Sequence, residues 1–459
     1  MNARTSLLLP HFLQKRPPLL LFLGLVGLSI LGYYWLGYQT LRSNFGQLIT
    51  LFCGLFLCYG LAIAFRWSRP YVVAWIGTAV IFRLLLLFTI PSLSDDYARF
   101  VWDGRLLANG YNPFLYLPID VLNTPIAQQA GLSPSLFSLL NSPHYFTVYP
   151  PLNQAFFGLA AWLSGSDLWL NVVWLRVFIV LSEMGTFWLL YSPKNPRRLL
   201  IYALNPLIII ELTGNLHFEA VLIFFLLLAF RWLKTRWFWS AMALVLAITT
   251  KLLPLLFLPL LVFRLGWRKG FQYAVVVGLG VLALFSPFLS LELLQNIAKS
   301  LDLYFQKFEF NASLYYLLRT VGFWVKGYNI IQILGPTLSF LSASGIVALA
   351  WLKRNEQLET MALWSLLLYF LCATTIHPWY ITTLVALCSF TSFRFPLVWS
   401  ALLPLTYAAY STTIVQENNW LLGLEYSLVL GWFLWELGIF KKKNPLAPTP
   451  DTPNARASP

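Results

Sequence analysis

Ser94-Asp95-Asp96-Tyr97 sets two adjacent carboxylates directly after an apolar run, and Arg99 and Asp103 follow Asp95 at i+4 and i+8. On a helix, residues so spaced share one face. Two chemistries fit this pattern. A ladder of ion pairs would steady a loop helix by roughly 0.2–0.5 kcal/mol per pair. A carboxylate pair at a membrane surface would instead supply a general base, Asp95 or Asp96, with the arginine fixing its position and keeping it ionised. The polar stretch continues through Trp102-Asp103-Gly104-Arg105 and Gly110-Tyr111-Asn112-Pro113.

Four further groups recur between apolar runs. Tyr149-Pro150-Pro151-Leu152 opens a short apolar segment, where the missing proline N–H is harmless. Asn205-Pro206, Glu211 and Gly214-Asn215-Leu216-His217-Phe218-Glu219 combine amides, an imidazole and two carboxylates, a costly set beside lipid if it is purely structural. The spacing of His217 and the two glutamates matches no standard zinc site, so no metal site is expected there. Lys251, with Pro254, is the only basic residue of its apolar run. It either snorkels or meets an anion, and with no Asp or Glu within several residues a local ion pair is not expected. His377-Pro378-Trp379-Tyr380 opens another run, and Asn311 and Ser313 lie in a loop with Arg319 beyond. Arg176 and Glu183, seven apart on one helix face, would pair with each other or with a neighbour.

The elements that must hold these groups follow from composition. Hydrophobic residues make up 59% of the 459 and charged residues 10%, against roughly 25% charge in soluble domains. Mean hydropathy is +0.69. Apolar runs of about 17–25 residues recur, the length of a helix crossing a bilayer. Lipid forces backbone polar groups to be satisfied within each segment, so the predicted fold is all-α: a polytopic transmembrane helix bundle of about 12–14 spans.

The net charge of +14 sits in short clusters at run ends, a topology signal and not a nucleic-acid footprint. With those clusters cytoplasmic, residues 1–91 form N-terminal spans, 92–167 an extracytoplasmic loop bearing interfacial helices and the acidic motif, 168–440 the main bundle and 441–459 a disordered cytoplasmic tail. The run Pro151–Leu163 is too short to cross and reads as interfacial or re-entrant. The stretch 237–263 reads as two short helices meeting near the outer face at Lys251.

No phosphate-binding glycine loop or dinucleotide fingerprint is present, and no soluble domain exists to hold a nucleotide sugar. The ordered set from Ser94 to Tyr380 resembles the membrane-embedded GT-C glycosyltransferases. It is most similar to polyprenyl- or dolichyl-phosphate-mannose-dependent mannosyltransferases, including the catalytic subunit of GPI mannosyltransferase I and its bacterial relatives. The GPI enzyme's motif reads Asp-x-Asp-Tyr, whereas here Ser94 stands first and the acidic pair is adjacent; the position before Tyr97 favours Asp96 as the base.

The resemblance implies an inverting transfer of a hexose, mannose by likeness, from a polyprenyl-phosphate carrier to a lipid or glycan hydroxyl at the extracytoplasmic face of a bacterial plasma membrane. Lys251, His377 and Arg319 are the expected donor-phosphate ligands. Arg99, Asp103, Arg105, Asn112, Tyr149, Asn215, His217, Glu219, Asn311 and Tyr380 are expected to bind substrate or order the loops. No cofactor is required, although a divalent cation is compatible with the acidic pair. The competing reading is a lipid or solute transporter or flippase, with Arg83, Arg176, Glu183 and Lys251 lining its path. A non-catalytic subunit of a larger complex is a third.

Overall fold

The computed structural model describes residues 17–306, 308–412 and 414–438. The basic residues Arg4, Lys15 and Arg16, the cluster Lys441–Lys443 and the tail expected to be disordered lie outside the described residues. Among those described, the chain is helical, with an isolated β-bridge between Phe310 and Thr375 and no strand.

The first three helices are α1 (Leu19–Tyr38), α2 (Phe45–Ala64) and α3 (Arg69–Leu85). The loop Gln39–Asn44 joins α1 to α2, and Asn44 caps α2 by accepting the Gln47 N–H. A polar segment follows. It contains α4 (Asp96–Ala108), several single turns and α5 (Pro151–Ser164). Then come α6 (Leu168–Leu190), capped by Asp167, and the central pair α7 (Glu219–Trp232) and α8 (Trp237–Thr250). The remainder includes α9 (Trp267–Phe285), α10 (Ile331–Leu352), α11 (Leu358–Cys372) and α12 (Asn419–Glu436).

Five helices are long and apolar enough to cross a bilayer: α1, α2, α6, α9 with its 3-10 extension to Phe288, and α10. A sixth span forms if Pro206–Gly214 and α7, bent by 114° at their junction, count together. The other apolar runs are divided into shorter helices, so five, or six with the bent pair, of the expected 12–14 crossings have spanning length among the described residues. Prolines explain much of this: Pro254, Pro378, Pro396 and Pro404 each open a short helix or 3-10 turn where an ideal helix would have continued.

The core sits in residues 199–230, almost all of which are buried, with α6 and α8 packed against α7. Apolar side chains such as Leu20, Leu28 and Leu31 on α1, and Phe271 and Leu279 on α9, point outward, as a lipid-facing surface requires. The segment Pro151–Ser164 is a helix, but it lies against α4, α6 and α8. Gly104 makes the α4–α5 contact close, since a Cβ there would come within 2.3 Å of the Phe157 carbonyl oxygen.

Candidate active site

The acidic motif is the N-terminus of α4. Asp95 is the N-cap residue, Asp96 stands in the first turn and Arg105 in the last, the order that the helix dipole favours. The ion-pair ladder predicted along this helix forms only in part. Arg99 donates to Asp103 at 2.8 Å, and both side chains are buried. Asp95 turns away to Arg42, whose Nη2 donates to it at 2.7 Å. The arginine paired with Asp95 is therefore Arg42 of the α1–α2 loop, not Arg99. The N-cap residue points off the helix face that an unbroken helix would give it, and this frees it for a partner 53 residues upstream.

Arg99 instead orders the loop, donating to the Tyr145 and Ser142 carbonyls, while Gln154 of α5 donates to Asp103 at 3.2 Å. Arg105 ties the carbonyls of Gly131 and Ser166 together. Asn112 caps the turn at Phe114 and donates to the Phe288 carbonyl, and Tyr149 packs edge-on against Phe100 at 4.9 Å. These five expected loop residues, Arg99, Asp103, Arg105, Asn112 and Tyr149, hold the segment 92–167 together.

Asp96 has different neighbours. Asn141 donates to it at 3.0 Å, and it lies within electrostatic reach of Lys251, Glu219 and Asp95. Loss of water around this half-buried group pushes its carboxyl above the usual aspartate range; the Asn141 bond and Lys251 oppose the shift, and Glu219 and Asp95 add to it.

Opposite stands the turn that follows Asn205-Pro206. Asn205 accepts the N–H groups of Leu207 and Ile208 and donates to Ser400. A π-helical turn, Ile209–Gly214, comes next and leads into the 114° bend. Glu211 accepts from Tyr407 at 2.7 Å and from Asn215 at 3.1 Å, and the His217 Nε2 stands 3.6 Å from it. His217 stacks on Trp379 at 3.8 Å, and His377 stacks on the same indole at 4.5 Å and on Phe310 at 5.1 Å. Glu219 faces away from this imidazole toward Lys251, and among the described residues no three His, Cys, Asp or Glu side chains converge as a metal site.

Lys251 ends α8 as predicted, at a break between two short helices, but it is not without a carboxylate. It pairs with Glu219 and lies 4.3 Å from the Tyr380 ring centre. The expected absence of an ion pair is corrected: α7 and α8 form a hairpin, which brings together residues 32 apart in sequence. Arg319 is likewise engaged, pairing with Glu309 beneath the Tyr316 ring. Asn311 joins this Arg319 group through Glu417, which accepts both the Asn311 N–H and the Tyr316 hydroxyl, while its amide donates to Glu425.

Sequence reasoning missed Arg42, Asn141, Tyr407 and Tyr410, whose ring lies 4.4 Å beneath the Arg42 guanidinium. Arg42 did leave a signal, as a lone arginine in a loop predicted to be extracytoplasmic, where the positive-inside pattern expects few. Arg83 and Glu183, expected to line a transport path, are fully buried and paired at 2.7 Å; they line none.

No curated protein sequence matches the chain. Residues 11–266 match the MptA_B family, described as alpha-(1->6)-mannopyranosyltransferase, N-terminal domain, a stretch that includes the acidic motif, His217, Glu219 and Lys251. The family matched differs from the GPI mannosyltransferase subunit that the ordered motifs resemble. The match covers more than half of the 459 residues and agrees with the membrane-type helix bundle, so the chain belongs to this mannosyltransferase family and is an integral membrane glycosyltransferase of the GT-C type.

Proposed function

We propose that this enzyme transfers mannose, with inversion, from a polyprenyl-phosphate carrier to a hydroxyl of a lipid or glycan acceptor at the extracytoplasmic face of a bacterial plasma membrane. Asp96 removes the acceptor proton as the hydroxyl oxygen attacks the anomeric carbon. The bond from that carbon to the phosphate oxygen breaks, and the carrier phosphate leaves with the electron pair. The observation that supports this reading most directly is the contrast within the acidic pair. Asp95 is occupied by Arg42, whereas Asp96, among the described residues, accepts only from the Asn141 amide, is half-buried and has its basicity raised by lost water.

The negative charge that grows on the leaving phosphate needs a cation. Lys251, about a third exposed, takes that role by exchanging Glu219 for the phosphate. His377, stacked on Trp379, lies within electrostatic reach of Lys251, whereas Arg319 is held by Glu309 and would have to exchange it to reach a phosphate. The transfer uses no resident metal in this reading.

Purified protein given polyprenyl-phosphate mannose and a short α-mannoside acceptor should form an elongated, inverted product, and Asp96→Asn should lower turnover by about 10²–10⁴-fold. Near-normal turnover in Asp96→Asn would overturn the assignment of the base. A nucleotide sugar serving equally well would overturn the donor.

A further inference from the structure

Arg176 projects from the middle of α6 and is fully buried. Its Nε donates to the Thr213 carbonyl at 2.7 Å, its Nη2 to Gly214 at 3.1 Å and its Nη1 to Leu87 at 2.8 Å. Among the described residues no carboxylate shares it, whereas Arg83, also on the bundle interior, has Glu183. A buried guanidinium without an anion is costly, so its surroundings must supply negative charge. They do so with chain ends. Thr213 and Gly214 close the π-helical turn, where the last carbonyls have no intrahelical partner, and Leu87 lies just past the end of α3. The negative end of a helix dipole stands in for a carboxylate.

The geometric consequence is a clamp. From Leu87 the chain runs directly to Asp95 and Asp96, and from Gly214 it runs directly to His217 and Glu219. One planar fork thus holds both segments that carry the reacting groups. The second segment needs holding: Leu216 sits at φ 65°, a left-handed conformation that is strained for a non-glycine residue and persists only where its surroundings over-determine it. The Asn215–Glu211–Tyr407 chain is one constraint on this turn, and Arg176 is the other.

We propose that Arg176 is a positioning residue for the transfer, setting the placement of Asp96 relative to the Lys251–Glu219 pair. This rests on the reading of Asp96 as the base. Lysine cannot replace it, because an ammonium is a point charge that does not span three carbonyls held by a fixed fork.

The test compares wild type, Arg176→Gln, Arg176→Lys, Asp96→Asn and Arg176→Gln/Asp96→Asn as full-length purified proteins, with polyprenyl-phosphate mannose as donor. Both Arg176 variants should lose about 10²-fold in kcat, the scale of a misplacement near 1 Å, with the KM for donor little changed. Because Arg176 acts through Asp96, the double variant should be no slower than Asp96→Asn alone. Wild-type turnover in Arg176→Gln beside an impaired Asp96→Asn would overturn the clamp and leave the base in place. A double variant slowed by the product of the single losses would also overturn it, showing a general structural role. Near-normal turnover in Asp96→Asn would remove the base and this inference with it. If Arg176→Gln is not recovered folded, Arg176→Lys keeps the buried charge and carries the same comparison.

Discussion

Two kinds of cation–carboxylate pair in this bundle differ in their access to water. Arg83 and Glu183 are both wholly buried, and their remaining bonds run to the Ala79 and Ala203 carbonyls and to the Thr213 hydroxyl. Arg42 and Asp95 keep 28% and 41% of their side-chain surfaces exposed, and Lys251 keeps 35%. A pair closed off from water on all sides in low dielectric has no room for an incoming partner, and breaking it leaves a bare buried charge. A pair with an open side can trade its internal carboxylate for an incoming anion. The first kind fixes helices α3 and α6 to the central turn; the second kind gathers beside Asp96, where a sugar phosphate would arrive.

The sharpest way to break this comparison is at the buried pair. Glu183→Gln or Arg83→Met should each destabilise the fold by about 3–5 kcal/mol, seen as a collapse in the yield of monodisperse protein. The double variant Arg83→Met/Glu183→Gln should recover part of that loss, since neither charge is then stranded. Equal yields from wild type and the single variants would show that the pair is not what holds these helices.

At the Lys251–Glu219 pair, open on the lysine side only, the sign should differ between partners. Lys251→Met removes a charge-assisted bond worth about 1.5–3 kcal/mol, so donor affinity should fall roughly ten- to hundredfold in a binding titration. Glu219→Gln removes the internal competitor and should strengthen donor binding. A weakening by both variants would mean that the pair is structural, like Arg83–Glu183.

A smaller effect concerns pH. Because lost water raises the Asp96 carboxyl, kcat/KM should fall as pH drops through a value above the ordinary aspartate range of about 3.9, and Asp96→Asn should lose that limb. The stability sign is the reverse of a salt-bridged aspartate. A carboxyl raised in the folded state favours folding below its unfolded value, and that contribution is lost as pH rises through the folded value. At neutral pH Asp96→Asn should therefore unfold at the same temperature as wild type or slightly higher. A lower midpoint would make Asp96 a structural residue. The smallest effect belongs to Arg42→Gln, which breaks a partly exposed pair worth about 0–1 kcal/mol and should leave the thermal midpoint nearly unchanged.

The solvent class was legible in the residues themselves. Runs such as 19–38 and 45–64 carry no charge over the length of a span, and Pro18 and Asn44 stand at their starts as local signals, so the first two spans follow from the sequence. The acidic motif, the Asn205–Glu219 turn, Lys251 and His377-Pro378-Trp379-Tyr380 were legible for the same reason: polar side chains beside lipid are costly wherever they point.

Pairing was not legible. Helical spacing offered Arg99 to Asp95, but Asp95 is the N-cap residue and leaves the helix face, so Arg42 takes it. Sequence proximity offered Lys251 no carboxylate, yet the α7–α8 hairpin supplies Glu219. Arg176 and Glu183, seven apart on α6, do not pair at all; Glu183 goes to Arg83, 100 residues upstream, and Arg176 to three carbonyls. Hydropathy and capping act over one helix turn or one span, and the sequence by itself therefore determined which segments are helices and where their costly polar groups lie. Which cation neutralises which anion depends on distances of a few ångströms between helices, and only the packing of the bundle decided it.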